Sequence, residues 1–374
     1  MTSPTVARSP YRLSVAPMME RTDRHYRYMA RLLTRRTLLY TEMVTTWALL
    51  HGDRERLLDY SPCERPLALQ LGGDRPDDLA QCAAWAEELG YDEVNLNVGC
   101  PSERVVSGRF GACLMAVPER VAELVAAMRA RVRIPVTVKH RIGINGRESY
   151  DDLANFVRVV AAAGCARFTV HARIAILGGL SPAENREIPP LRYDDVYRLK
   201  ADFPALEIEL NGGVRSVDAA LLHLRHVDSV MIGRAAYENP RLLAALDDAV
   251  FHDMAEHSSR AAPSANASER PWAGPSEFQS APSAEPVFGP VCTPRALIER
   301  MISYAETWVL GGGRLAPVLK PMLTIFDGKP GARRYRRNLS ELVGERSRTA
   351  SVEAAMRAAV GHLSSEVVDE ALTG

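Results

Sequence analysis

The chain has 374 residues, which is enough for one large domain followed by a smaller one of roughly 70 to 100 residues. It contains no apolar run of the roughly 20 residues that cross a bilayer, and residues 1–10 lack the apolar segment of a secretion signal. Basic and acidic residues are equal in number, 46 each, so overall charge does not indicate a polyanionic partner. We expect a cytoplasmic protein without membrane contact.

Short apolar segments alternate with amphipathic helical patterns over the first two thirds of the chain, as in repeated βα units. The predicted strands are Leu13–Met18, Leu38–Met43, Leu67–Leu71, Glu93–Val98, Pro135–His140, Arg167–His171, Glu207–Leu210 and Ser229–Ile232. Helical spacing is clear at 76–89, 118–131, 150–163 and 216–226. Eight units over about 240 residues predict an α/β fold, a TIM (β/α)8 barrel. A doubly wound sheet is the alternative, but its Gly-x-Gly-x-x-Gly fingerprint is missing.

Residues 253–293 are rich in Ala, Ser, Pro and Gly and too poor in aliphatic residues to build a core. Helical patterns resume at 294–310, 314–326, 331–342 and 351–363. We therefore predict a catalytic barrel at 11–252, a flexible linker or insertion at 253–293, and a small all-α domain at 294–365.

Basic residues are concentrated in two places. Residues 314–348 contain nine Lys or Arg against three acids. On a predicted helix over 21–36, four arginines share one face at spacings of three to four residues: Arg24, Arg27, Arg31 and Arg35. Each pattern has two interpretations, a solvated helix face or a nucleic-acid surface.

Six cysteines lie far apart without a Cys-x-x-Cys pair, which argues against a zinc site and against a disulfide scaffold. Cys100 differs from the other cysteines in its position, because "NLNVGCPS" places it in a Gly-Cys-Pro turn just after the fourth predicted strand. A nucleophile or metal ligand would need partners that the sequence does not show. An acid needs none, since an unperturbed thiol is protonated at neutral pH. The alternative is an inert buried cysteine.

Polar residues end most of the predicted strands, and in a TIM barrel these ends form the active site. Each alone has a structural interpretation: Gln70 could cap a loop, His171 could be a core histidine, and Lys139 could pair with Glu42. Because such residues recur at the ends of successive strands around the barrel, a functional role is favoured over a structural one. The set is Pro17, Met18, Met19, Glu42, Gln70, Asn97, Gly99, Cys100, Lys139, Arg141, His171, Arg173, Asn211, Gly212, Gly213, Gly233 and Arg234.

Two of these strand ends predict a phosphate site. The glycines of "NGGV" and "IGRA" follow the seventh and eighth strands, where TIM barrels bind phosphate, and Arg234 adds a positive charge. Gln70, Lys139 and Asn211 have the chemistry for the polar edge of a flavin ring. FMN therefore suits the pattern better than NAD.

The sequence resembles the tRNA-dihydrouridine synthases, specifically the DusA-type branch. The resemblance covers nearly all of the chain except both tails and residues 253–293. It rests on strings that include "SVAPMMERTDRHYRY", "LALQLGG", "YDEVNLNVGCPS", "FGACLM", "IPVTVKHRIGI", "FTVHAR", "GLSPAENREIPPL", "LNGGV", "VMIGRAAYENP" and "PMLTIFDGKPGARRYRRNLS".

The resemblance implies an FMN barrel, reduced by NADPH, with a helical tRNA-binding domain and no metal or protein partner. Hydride passes from the flavin to uracil C6, and Cys100 protonates C5; the targets are uridines 20 and 20a in the D-loop, at the tRNA elbow. It implies tRNA contacts from Asn97, Arg186, Arg333 and Arg336. It implies FMN contacts from Pro17, Met18, Met19, Gln70, Lys139, His171, Asn211, Gly212, Gly213, Gly233 and Arg234.

The chain departs from the family pattern at residues 253–293, at His140, where Thr or a small residue is expected, and at Ala183, where a basic residue is expected. The main rival is an FMN barrel dehydrogenase acting on a free pyrimidine, which would not need the arginine-rich helical domain. A non-catalytic RNA-binding scaffold is a second rival, and it predicts loss of Cys100 or Lys139.

Overall fold

A computed structural model describes residues 11–258, 290–344 and 351–372. Most of the segment predicted at 253–293 lies outside these ranges, and only its two ends are described. The last barrel helix continues past the predicted boundary at 252 to Ser258, because helix formers such as Met254, Ala255 and Glu256 still follow that boundary.

Eight parallel strands form the barrel. They are β1 (Leu13–Val15), β2 (Leu39–Thr45), β3 (Leu67–Gly72), β4 (Glu93–Val98), β5 (Val136–Arg141), β6 (Arg167–His171), β7 (Glu207–Asn211) and β8 (Ser229–Ile232). Their order is β1-β8-β7-β6-β5-β4-β3-β2, and a parallel bridge between Ser14 and Leu38 joins β1 to the residue before β2. The predicted TIM barrel is confirmed.

The two faces of each strand differ in polarity. In β4, Val94, Leu96 and Val98 are fully buried in the apolar layer that packs against the helices. The alternate residues point into the barrel, as the period of two requires. There Arg167 forms a buried ion pair with Glu93 at 2.5 Å. The interior below the mouth is thus polar and hydrogen-bonded, a feature the sequence did not predict.

Helices follow the strands and cover the barrel. They are α1 (Arg24–Arg31), α2 (Thr46–His51), α3 (Arg54–Leu58), α4 (Pro76–Glu88), α5 (Glu103–Ser107), α6 (Pro118–Arg129), α7 (Tyr150–Ala162), α8 (Tyr193–Asp202), α9 (Val217–His223), α10 (Arg234–Glu238) and α11 (Arg241–Ser258). The predicted helices at 76–89, 118–131, 150–163 and 216–226 correspond to α4, α6, α7 and α9. None of the helices in the described ranges has both the length and the apolar character needed to cross a membrane.

The C-terminal part is helical, as predicted. It contains α12 (Pro294–Leu310), α13 (Leu315–Leu319), a 3-10 helix at Lys320–Thr324, α14 (Ala332–Gly344), α15 (Val352–Val360) and α16 (Ser365–Val368). It packs on the barrel through α1: the rings of Tyr28 and Tyr304 stack with centroids 4.0 Å apart. Lys320 also donates to the Glu20 carbonyl at 2.7 Å, close to the barrel mouth. The helical part is therefore anchored beside the end of the barrel that carries the predicted site.

Candidate active site

The carboxyl ends of the strands bring the predicted polar residues to one end of the barrel. Asn97 on β4 is the register partner of Lys139 on β5, and His171 on β6 is the partner of Asn211 on β7. Gln70 on β3 connects to the same set, because its Oε1 accepts a 2.9 Å hydrogen bond from Asn97 Nδ2. Residues far apart in sequence thus share one rim.

The turn that carries Cys100 is held by backbone hydrogen bonds. Asn97 Oδ1 accepts from the amides of Gly99 at 3.2 Å and Cys100 at 3.0 Å. The Cys100 carbonyl accepts from Ala112 N at 3.0 Å. Gly111 has φ +72°, and a Cβ there would lie 2.6 Å from the Cys100 carbonyl oxygen, so this position requires glycine. The backbone that carries the partly exposed Cys100 side chain is thereby held in place.

Lys139 donates to Asn211 Oδ1 at 3.1 Å, and Asn211 Nδ2 in turn donates to the Met231 carbonyl at 2.9 Å. The alternative pairing of Lys139 with Glu42 is not seen; Glu42 accepts from the amide of Arg21 at 2.9 Å. Burial, and then the nearby Arg141, lower the pKa of Lys139 to about 8. The ammonium therefore begins to titrate just above neutral pH.

Arg141 connects three parts of the site. The sequence analysis placed this residue at the barrel mouth but assigned it no role. Its guanidinium donates to the carbonyls of Gly99 (3.2 Å), Ile174 (3.0 Å) and Asn185 (2.9 Å). Burial lowers its pKa to about 10. One side chain thus ties the Cys100 turn to the loop after β6 and to the "ENREIPPL" segment.

His171 is a neutral imidazole in this setting. Burial, and then the positive charges of Arg141 and Lys139, hold its pKa well below the ordinary value. Gly212 follows on the neighbouring strand end with φ +112°, and a Cβ there would lie 2.7 Å from the His171 ring. Gly213 has φ +74°, and its Cβ would lie 2.3 Å from Tyr193 Oη. Both glycines of "NGGV" are therefore required by backbone conformation and by space.

The predicted phosphate end contains an ion pair. Arg234, which is partly exposed, donates to Oε1 of the exposed Glu187 at 2.8 Å. Arg186 lies nearby: partial burial and the charges of Arg234 and Arg21 lower its pKa. At Gly233 an added Cβ would meet only the Ala16 Cβ, 4.0 Å away, so the backbone there borders open space. Cations thus predominate around this part of the rim.

The Pro17–Met19 segment follows the carboxyl end of β1, and its polar groups are partly engaged in hydrogen bonds within the chain. The Met18 amide donates to Thr22 Oγ1 at 3.0 Å, and the Met18 carbonyl accepts from Thr22 N at 3.0 Å. The Met19 side chain is 58% exposed. Met18 N–H is therefore already satisfied within the chain, and Met19 is the accessible residue of the three.

Comparison with known proteins decides the family. The family model described as "Dihydrouridine synthase (Dus)" matches residues 14–360. The chain belongs to the dihydrouridine synthase family. It is 54% identical over 329 residues to the tRNA-dihydrouridine(20/20a) synthase of Synechocystis sp., covering 88% of each chain. It is 54% identical to that of Pseudomonas aeruginosa over 88% of this chain and 89% of the relative, and 51% identical to that of Vibrio cholerae over 88% and 90%. The predicted family and its DusA-type branch are confirmed.

The first basic segment of this dihydrouridine synthase, for which the sequence left a solvated face and a nucleic-acid surface open, is neither of these. On α1, Arg27 is buried and pairs with Glu64 at 2.6 Å, and Arg31 is buried and donates to four backbone carbonyls of residues 34–66. Arg24 pairs with Asp59, and α1 ends at Arg31, so Arg35 is not on it. Spacing correctly placed three arginines on one face, but that face packs against the barrel.

The basic helix α14 is exposed instead. It buries Tyr335 and Leu339, which are four residues apart, and presents its arginines to solvent. Arg333 and Arg336 are both exposed on this helix, and Arg336 is in an ion pair with Asp327. Both are placed where a large ligand could contact them. Arg346 and Arg348 of the predicted cluster lie outside the described residues.

His140, a departure from the family pattern, lies in the core rather than in the site. Its ring packs 4.9 Å from the ring of Phe156 on the outer face of β5, and burial lowers its pKa to about 4. Ala183 is exposed at the start of the "ENREIPPL" segment. Among the residues that the structure describes, no group of His, Cys, Asp or Glu side chains is arranged to bind a metal ion.

Proposed function

We propose that this family member is an FMN- and NADPH-dependent tRNA-dihydrouridine synthase that reduces uridines 20 and 20a of the tRNA D-loop in the cytoplasm, where tRNA is found. Relatives named tRNA-dihydrouridine(20/20a) synthase are 50–54% identical to it over 88% of its length. The observation that carries the proposal is the placement of Cys100 at the barrel mouth, on the same rim as Lys139, His171 and Asn211.

The residues of the rim fit FMN. Lys139 supplies a cation beside the amide of Asn211, which suits the end of an isoalloxazine that gains negative charge on reduction. Gln70 uses one donor and one acceptor internally and keeps one of each for the polar ring edge. Positive-φ Gly212 and Gly213, with Gly233 and Arg234, suit the phosphate. Pro17, Met18, Met19 and His171 complete the proposed contact set.

Reduced FMN, when bound, supplies the hydride that adds to uracil C6. The C5=C6 bond is conjugated to the C4 carbonyl, so this addition creates enolate character that requires a proton at C5. Cys100 holds that proton on Sγ and delivers it to C5, which leaves a thiolate. NADPH, which the resemblance implies, would restore the reduced flavin, and a proton from solvent would return the Cys100 thiolate to the thiol.

The cations around Cys100 stabilise the charge that remains on its sulfur. Burial lowers the pKa of Lys139 and Arg141, and partial burial lowers that of Arg186. A thiolate at Cys100 would raise the pKa of each of these three groups, since an anion favours the charged form of a neighbouring cation. Formation of the thiolate therefore occurs among compensating positive charges.

A tRNA substrate accounts for the exposed arginines outside the proposed flavin site. A base stacked in folded tRNA must leave its stack to reach the barrel mouth, so the rest of the molecule needs a basic surface. Exposed Arg333 and Arg336 on α14, and Arg186 at the rim, are proposed to supply phosphate contacts. Asn97 is proposed to contact the target uracil through its remaining Nδ2 hydrogen.

The test separates tRNA from a free pyrimidine as substrate. The flavin of the purified protein is reduced with dithionite without oxygen and mixed with unmodified tRNA transcript, with uridine, or with uracil, while flavin reoxidation is followed by absorbance. We expect fast reoxidation with tRNA and negligible reoxidation with the small molecules. Reoxidation by uracil or uridine but not by tRNA would instead assign the protein to the free-pyrimidine dehydrogenases.

A further inference from the structure

A continuous chain of side-chain hydrogen bonds runs from the bottom of the barrel toward its mouth. At the bottom, Thr137 Oγ1 donates to Glu93 Oε1 at 2.6 Å. Asn95 Nδ2 donates to Thr137 Oγ1 at 2.8 Å, and Gln70 Nε2 donates to Asn95 Oδ1 at 2.8 Å. The chain thus passes through three neighbouring strands, β5, β4 and β3.

The upper half of the chain ends on the backbone of the Cys100 turn. Asn97 Nδ2 donates to Gln70 Oε1 at 2.9 Å, and Asn97 Oδ1 accepts from the amides of Gly99 and Cys100 at 3.2 and 3.0 Å. Each amide side chain therefore donates toward the bottom of the barrel and accepts from the side of the mouth.

Groups with a single hydrogen-bonding role fix this direction at both ends. The Glu93 carboxylate, paired with Arg167, can only accept, and backbone N–H groups can only donate. A reversed Gln70 or Asn97 amide would place two donors or two acceptors against each other. Such a chain has one satisfied arrangement, and its bonds polarise one another in the low-dielectric interior.

Asn95 and Thr137 each lie two residues before the rim residue of their own strand, Asn97 and Lys139, and they are 0% and 1% exposed against 8% for Asn97. We propose that Asn95 and Thr137 are positioning residues for Cys100, acting through Gln70 and Asn97 to hold the turn that presents the thiol. Their effect on catalysis rests on the proposed function of Cys100, whereas their effect on the turn does not.

Amide hydrogen exchange measures the turn directly and needs neither flavin nor tRNA. In Thr137→Val, which keeps the shape and removes the hydroxyl, we expect exchange at Gly99 and Cys100 to rise roughly fivefold, the effect of one weakened buried hydrogen bond. Tyr40→Phe is the matched control, because the Tyr40 hydroxyl donates to the same Glu93 Oε1 at 2.7 Å but is not part of the chain. Thr137→Ser, which retains a hydroxyl at this position, should show exchange close to the wild-type rate.

Asn95→Leu breaks a second link of the chain and provides an independent variant should Thr137→Val fail to fold. Overlapping peptic fragments across 97–102 report the turn, and fragments of β6 and β7 report the rest of the barrel. Unchanged exchange at 97–102 in a folded variant, or an equal rise in Tyr40→Phe, would overturn the proposal. So would a rise of the same size throughout the barrel, since that indicates general loosening.

A single-turnover assay then separates positioning from flavin chemistry. For Thr137→Val we expect tRNA-dependent reoxidation to be slower by about tenfold, and flavin reduction by NADPH to slow by less, because Thr137 reaches the flavin site only through Gln70. The half-saturating concentration of tRNA should be unchanged. Equal slowing of both half-reactions would contradict a role through Cys100. A wild-type protein that reduces no tRNA, yet shows the exchange effect, would refute the proposed function and leave the positioning role intact.

Discussion

The ammonium of Lys139 lies 3.1 Å from Asn211 Oδ1, across the mouth from β5 to β7. Asn211 is itself fixed by its 2.9 Å bond to the Met231 carbonyl, so its oxygen, rather than its nitrogen, faces the lysine. This pair places a cation of lowered pKa on the rim where the flavin is proposed to bind.

That lowered pKa predicts a pH dependence. Because the pKa of Lys139 is lowered to about 8, the ammonium is present below that pH and is lost as pH rises through it. The rate of flavin reduction by NADPH should therefore fall across pH 7 to 9 in the wild type. Lys139→Met should be slower by roughly 10²-fold and lack this titration. Lys200→Met, outside the barrel mouth, is the control; a flat wild-type profile would refute the assignment.

Cys100→Ala should keep FMN and tRNA affinity and lose most turnover. The bonds from Asn97 to the turn use backbone amides, so the alanine variant retains its scaffold. Loss of the proton donor should slow tRNA reduction by about 10²- to 10⁴-fold in single-turnover measurements. Cys113→Ala, another partly exposed cysteine, should be normal. Full activity in Cys100→Ala would remove the role proposed for this thiol.

Arg27 on α1 should matter for stability and not for tRNA. Arg27→Met leaves the buried Glu64 carboxylate without its partner, which should lower the free energy of unfolding by about 3 to 5 kcal/mol. Arg35→Ala, at an exposed position, should change it little. Urea titrations and filter binding measure the two properties. A stable Arg27→Met protein with weakened tRNA binding would contradict the structural role.

Arg333 and Arg336 should contribute to tRNA affinity. Arg333→Ala should raise the KM for tRNA roughly tenfold at moderate salt with little change in kcat, and should reduce the salt slope of binding by about one. Arg336→Ala should have a smaller effect, because Asp327 already partly neutralises Arg336. Arg295→Ala, which is exposed on α12 and paired with Asp369, is the comparison. Equal effects from all three variants would indicate that tRNA affinity depends on overall positive charge and not on the position of these arginines.

The strands and most helices could be predicted because their signals are local. A buried parallel strand is a short apolar run, and α4, α6 and α7 carry apolar residues at helical spacing with Pro or Ser at their starts. The short helices α2, α3 and α16 were not predicted, since so few residues carry too little periodicity to identify.

The residues of the rim could also be predicted, but their connections could not. Lys139 and Asn211 are 72 residues apart and Arg141 and Asn185 are 44 apart, so only the closed barrel shows that they bond. The burial of Arg27 was missed for the same reason: helical spacing identifies a shared face but not what covers it. Its partner Glu64 lies 37 residues away in a segment that the sequence left without structure.

The most direct test is to incubate the purified protein with FMN, NADPH and unmodified tRNA transcript, and to map dihydrouridine by mass spectrometry of nuclease fragments. We expect dihydrouridine at positions 20 and 20a, and far less of it when Cys100→Ala replaces the wild type under the same conditions. A flavin-loaded, NADPH-reducible protein that leaves every uridine of the transcript unmodified would contradict it.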